Sequence, residues 1–122
     1  MNGDRIVADS SALIHLLDGH PGVTSILQDC ETFVSFISEI EVLSGKRTTN
    51  EVLARTSTLL SACTIIDVNP RIKELVIILR RKYGLKVPDL LVAATAIYMD
   101  VPLLTSDKDF KRLKEEVAIY WI

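Results

Sequence analysis

Hydrophobic residues along the chain fall into two rhythms. Short runs rich in β-branched and aromatic residues read as strands: "RIVAD" (5–9), "TFVSF" (32–36), "CTIIDV" (63–68), "PLLT" (102–105) and "VAIYWI" (117–122). Between them lie longer segments with helical spacing, at about 11–18, 23–28, 38–44, 50–60, 70–83, 88–99 and 108–115, with Gly19, Gly22, Gly45 and Gly84 near their ends. Strand and helix alternate, and neighbouring parallel strands need a crossover helix between them. The pattern therefore predicts an α/β fold: a three-layer α/β/α sandwich around a mostly parallel sheet of about five strands. The segment "PDLLVAATAIYM" (88–99) is apolar on nearly every side, which predicts a helix packed inside the domain and bordering the core of any site.

A chain of 122 residues suits a single domain, 1–122, with one hydrophobic core. With 48% hydrophobic and 25% charged residues the balance is globular, without low-complexity tracts, charge blocks or repeats. No run approaches the roughly 18 uninterrupted apolar residues of a membrane helix. Asp4 and Asp9 break any reading of the N-terminus as a signal peptide, so a cytoplasmic protein is expected. Cys30 and Cys63 lack metal-ligand spacing and are expected to be buried free thiols. The net charge of −2 does not advertise nucleic acid, so a polyanion would have to be held by local positive charge.

In open parallel sheets ligands collect beyond the carboxyl ends of the strands, which singles out acids at strand-to-helix transitions. Asp9 ends "RIVAD", Glu41 follows "TFVSF" early in the next helix, and Asp107 and Asp109 follow "PLLT" in "TSDKDF". Asp89 opens the buried helix. Each has an alternative explanation, because acids at helix N-termini satisfy orphan N–H groups and suit the helix dipole. Ser38 to Glu41 matches a capping box, Asp89 follows a well-placed proline, and Ser106 stands three residues before Asp109. Convergence of four carboxylates would instead be unfavourable without cations, at about 1 kcal/mol per pair in water and about 4 at a dielectric of 20. Oxygen-only sites of this kind select Mg²⁺ or Mn²⁺, which handle phosphate oxygens and need no nucleophilic side chain. His15 and His20, in the first helix and in a Gly-His-Pro-Gly turn, read as surface or packing residues.

These segments resemble the PIN-domain ribonucleases, and among them the toxins of VapBC-type toxin–antitoxin pairs. The stretches that carry the resemblance are "VADSSALIHLL", "ISEIEVLSG", "VPDLLVAATAI" and "LLTSDKDF", and it covers essentially the whole chain. Ser38 stands where family members often have a threonine or serine shortly before the glutamate. The resemblance implies a metal site of Asp9, Glu41, Asp89 and Asp107, with Ser10 and Thr105 as supporting polar groups. Similar proteins place the last acid on either side of this short turn; Asp107 is taken as the ligand here, with Asp109 as a supporting residue or cap. The implied activity is Mg²⁺- or Mn²⁺-dependent hydrolysis of RNA phosphodiesters. The implied partners are an RNA substrate, an inhibitory antitoxin and a second copy in a homodimer.

An acidic pocket repels RNA, so basic side chains must flank it. Lys46, Arg47 and Lys86 are the best placed, with Lys108, Lys111 and Arg112 after Asp107; a solvated helix face is the competing reading for "LRRKYG" (79–84) and "DFKRLKEE" (109–116). Tyr98, Tyr120 and Trp121 read as core or interface rather than a base-stacking platform. The helices at 23–28 and 50–60 offer apolar sides for an antitoxin or twin subunit. A receiver-type phosphoacceptor fits less well, since serines rather than an acid follow Asp9 and the last strand ends the chain. A haloacid-type phosphatase would want an acid at Ser11. A catalytically silent binding module on the same fold is the remaining alternative.

Overall fold

The computed structural model describes residues 4–46 and 48–122. Five strands, β1 (Arg5–Ala8), β2 (Glu31–Ser35), β3 (Thr64–Ile66), β4 (Leu103–Thr105) and β5 (Ile119–Trp121), form one sheet in the order β3-β2-β1-β4-β5. Every pairing is parallel, including β1 with β2 on one side and with β4 on the other. Strand order reverses between β1 and β4, and that is where a crevice opens beyond the carboxyl ends of an open sheet.

Six α-helices connect the strands: α1 (Ser10–Leu17), α2 (Pro21–Gln28), α3 (Phe36–Leu43), α4 (Asn50–Ser61), α5 (Pro70–Tyr83) and α6 (Val87–Met99). A short 3₁₀ helix, Lys108–Leu113, follows β4. Alternate strand residues face opposite layers, as the two-residue period of a strand requires. Ile6, Ala8, Val34 and Leu104 pack with Leu13 of α1, Val23 of α2, Val42 of α3 and Leu60 of α4. Val7, Phe33 and Leu103 face Ile72 and Leu79 of α5, Leu90 and Ala94 of α6, and Phe110. These two apolar layers on one sheet make the expected sandwich.

Local chemistry sets the helix ends. Asn69 accepts from Ile72 N–H at 2.9 Å and Pro70 supplies the first-turn φ of α5, which ends at Gly84 with φ +67°. Helix α6 is buried along Leu90 and Val92 to Ala96, in keeping with its apolar sequence. His20 caps α2, its Nδ1 accepting from Val23 N–H at 3.2 Å.

Four sequence expectations change. Helix α3 starts directly off β2 and is capped by Ser35, so Ser38 lies inside the first turn, fully buried, and forms no capping box. The segment after Asp107 winds as a 3₁₀ helix because Asp107 accepts from the N–H only two residues on, which closes a tighter turn. Tyr98, Tyr120 and Trp121 are exposed, the last two on the edge strand β5, which removes the core reading and keeps the interface one. Cys30 and Cys63 are free but only half-buried, lying at the margin of one apolar layer.

Candidate metal centre

Asp9 sits where β1 passes into α1, and its side chain performs two tasks. Its Oδ1 caps α1 by accepting from Ala12 N–H at 2.9 Å, and also accepts from Ser11 Oγ at 2.6 Å. Its Oδ2 accepts from Thr105 Oγ1, which reaches across from the end of β4. Burial, with only 4% of the residue exposed, pushes the carboxyl above its usual range. The hydrogen bonds from Ser11, Thr105 and Ala12 oppose that rise, and the charge of Asp107 adds to it.

Two hydroxyls join this group to the turn after β4. Thr105 Oγ1 accepts from Asp107 N–H at 2.9 Å, and Ser11 Oγ accepts from Ser106 N–H at 3.0 Å. Two backbone amides of that turn are thereby tied through hydroxyls to the two oxygens of one carboxylate. Ser11 is a functional candidate that the sequence did not point to, since the resemblance picked out its neighbour Ser10. Both serines follow Asp9 directly, and only the direction of the first helical turn distinguishes them. Ser10 takes part in none of the side-chain hydrogen bonds among the described residues.

Asp89, Asp107 and Asp109 come together: each offers a carboxylate oxygen, and the three lie within 4.8 Å of one another. Asp89 stands in the first turn of α6, where Lys86 is the N-cap residue and no side chain makes the cap bond. The capping explanation for Asp89 therefore does not account for its orientation. Its Oδ2 is buried and has no hydrogen-bond partner. Burial raises the Asp89 carboxyl above its usual range, the charges of Asp107, Asp109 and Glu41 raise it further, and Lys86 partly offsets them. Asp107 Oδ1 accepts from Asp109 N–H at 2.9 Å, so the capping duty in this turn falls on Asp107 rather than on Asp109 or Ser106. Asp109 is exposed and joins the cluster from the solvent side.

Glu41 is exposed on α3, near enough for its charge to be felt at Asp89. Lys46, Lys86 and Lys108 are exposed around these turns. Arg47 lies outside the described residues.

The donor set fits a hard divalent cation. It consists of oxygens alone, it gathers like charges that repel at this spacing, and it contains a buried carboxylate oxygen without a partner. A buried acceptor left unsatisfied costs about 1–3 kcal/mol, a cost that a bound cation removes. Ser38 Oγ, one helical turn before Glu41, is the other buried side-chain atom without a partner among the described residues.

Comparison with known proteins decides the family. The model of the PIN domain matches residues 6–116. The chain belongs to the PIN-domain family. Among solved structures, this PIN domain is similar to a chain of a toxin–antitoxin complex from Klebsiella pneumoniae, with 28% identity, 96% and 99% of the two chains covered, and a TM-score of 0.80. It shares its fold with a chain of VapBC2 from Rickettsia felis bound to a promoter DNA fragment (20% identity, 96% and 98% covered, TM-score 0.82). The same holds for DNA-bound VapBC from Salmonella typhimurium (15% identity, 96% and 97% covered, TM-score 0.81). No curated protein sequence matches this PIN domain. No helix among its described residues is long and apolar enough to cross a membrane.

Proposed function

We propose that this PIN domain is a divalent-metal-dependent endoribonuclease and acts as the toxin of a VapBC-type pair in the cytoplasm. The observation that carries the reading is the cluster of Asp89, Asp107 and Asp109, each offering a carboxylate oxygen within 4.8 Å of the others, with one Asp89 oxygen buried and unpartnered. Asp9 and Glu41 complete the acidic set in this reading, Asp9 through the hydroxyl ties to Thr105 and Ser11, and Glu41 from the exposed side of α3.

A bound Mg²⁺ or Mn²⁺ would activate water and neutralise charge developing on a scissile phosphate. Asp89 and Asp107 would hold the ion, with Asp109 open to solvent as a further oxygen donor. Thr105 and Ser11 keep the Asp9 carboxylate turned toward the β1–β4 crevice. Lys86 and Lys46 would meet RNA phosphates on either side, and Arg47 is assigned the same role from its place in the sequence. Ser10 is retained only as a residue of the turn that follows Asp9.

Partners follow from the similar structures, of which several are toxin–antitoxin complexes. An antitoxin segment would lie in the apolar groove of about 470 Å³ between α1 and α4, lined by Leu16, Leu17, Ala54, Arg55, Thr58 and Leu59. Exposed Ile77 and Ile78 on α5 would serve a homodimer. The test is cleavage of a mixed RNA pool with Mn²⁺ or Mg²⁺, with EDTA, and with Asp9→Asn. Metal-dependent cleavage lost in the variant supports the reading. Equal cleavage by wild type and Asp9→Asn, or none under any metal, overturns it.

A further inference from the structure

We propose that Ser11 is a positioning residue for the metal centre: its hydroxyl fixes which oxygen of Asp9 remains free and locks the distance between Asp9 and the turn that carries Asp107 and Asp109. The inference rests on the metal-centre reading above and adds to it a residue that supplies no ligand atom.

Counting lone pairs gives the first half. Ser106 N–H donates to Ser11 Oγ at 3.0 Å, and the hydroxyl proton is then directed to Asp9 Oδ1 at 2.6 Å. Ala12 N–H takes the second acceptor position on the same oxygen at 2.9 Å. A carboxylate oxygen has two such positions, so Oδ1 is full. Oδ2 accepts one bond, from Thr105, whose own Oγ1 is aligned by the N–H of Asp107. One acceptor position is left on Asp9, and it is on Oδ2. A cation would therefore meet Asp9 through that single oxygen, and without the Ser11 hydroxyl Oδ1 would be open as well.

Connectivity gives the second half. Ser11 belongs to the first turn of α1, and its partner Ser106 lies 95 residues further on in the turn after β4. Thr105 makes the parallel tie, 96 residues from Asp9. The pair of hydroxyls, 3.4 Å apart, thus acts as a two-point brace between the β1–α1 turn and the turn of Asp107. Removing Ser11 leaves one point, about which the turn can pivot, and the Ser106 N–H loses its partner.

The experiment compares wild type, Ser11→Ala and Ser11→Thr by Mn²⁺ titration and by amide hydrogen exchange in the metal-free protein. Ser11→Ala is expected to weaken Mn²⁺ binding about tenfold, the low end for loss of an outer partner of a ligand. It should also speed exchange at Ser106 N–H, and Ser11→Thr, which keeps a hydroxyl, should restore both. Wild-type Mn²⁺ binding with an unchanged Ser11→Ala affinity overturns the role of Ser11 alone. Unchanged exchange at Ser106 overturns the brace. A wild type that takes up no Mn²⁺ overturns the metal-centre reading itself.

Discussion

Replacing Asp89 by Asn separates charge from shape. The oxygens of Asp89, Asp107 and Asp109 lie within 4.8 Å, at which a pair of unit charges repels by about 0.9 kcal/mol in water and about 3.5 at a dielectric of 20. Asp109 is exposed, so its share belongs at the water end, while Asp107, half-buried, falls between the limits. Burial and the charges of these neighbours also raise the Asp89 carboxyl above its usual range, the same repulsion acting on its ionised form. The variant also gives up the favourable interaction of a carboxylate with the α6 N-terminus, about 0.3–1 kcal/mol. The metal-free variant should then be more stable by about 1–2 kcal/mol, or about 4–8 °C in Tm for a domain of this size. With Mn²⁺ at 100 times its Kd, wild type gains about 2.7 kcal/mol by mass action, and the variant, short of a ligand, gains far less. Thermal unfolding with and without Mn²⁺ should show the order of the two proteins reversing. A variant less stable than wild type in EDTA would refute the reasoning, because Asp89 would then be serving the helix rather than a cation.

The pH dependence has a defined sign. Asp9 and Asp89 carry raised carboxyls, so the folded state binds protons more tightly than the unfolded chain, and stability from these groups is present below the ordinary carboxylate range and lost as pH rises through the raised values. Metal-free wild type should gain stability from both on mild acidification, and Asp89→Asn should flatten the slope of Tm against pH. Asp9→Asn should abolish cleavage yet stay folded, since the amide oxygen still accepts from Ala12 N–H; Asp9→Ala should cost about 1 kcal/mol more in urea unfolding through loss of that cap. Lys86→Ala should weaken RNA binding and lower the slope of log K against log salt by about 1, measured by filter binding. Gly84→Ala should destabilise by about 1 kcal/mol in urea titration, because φ is +67° and the space around it is open, which leaves backbone strain as the only cause.

The sequence carried the architecture far because strand and helix rhythms differ so plainly here. All five strands and the ends of α5 were legible, the latter from Asn69, Pro70 and Gly84. Acids at the ends of β1 and β4 were legible as candidates because parallel topology alone sends both to one crevice. Side-chain direction was not. Ser10 and Ser11 are equivalent in a linear reading, and only the first turn of α1 carries one of them onto Ser106. Ser38 looked like a cap because its spacing to Glu41 is right, yet β2 hands over to α3 without a loop and Ser35 takes that duty. Nor could spacing tell Asp107 from Asp109: one closes the 3₁₀ turn, and both reach the same cluster.

The pairing of β1 with β4 makes the site a matter of timing as well as geometry. Asp9 leaves the ribosome 96 residues ahead of Thr105, the residue that holds its second oxygen. A nascent chain still lacking β4 has no assembled acidic hollow. Whatever chemistry that hollow performs begins only once synthesis has passed the 3₁₀ turn and β4 has paired with β1.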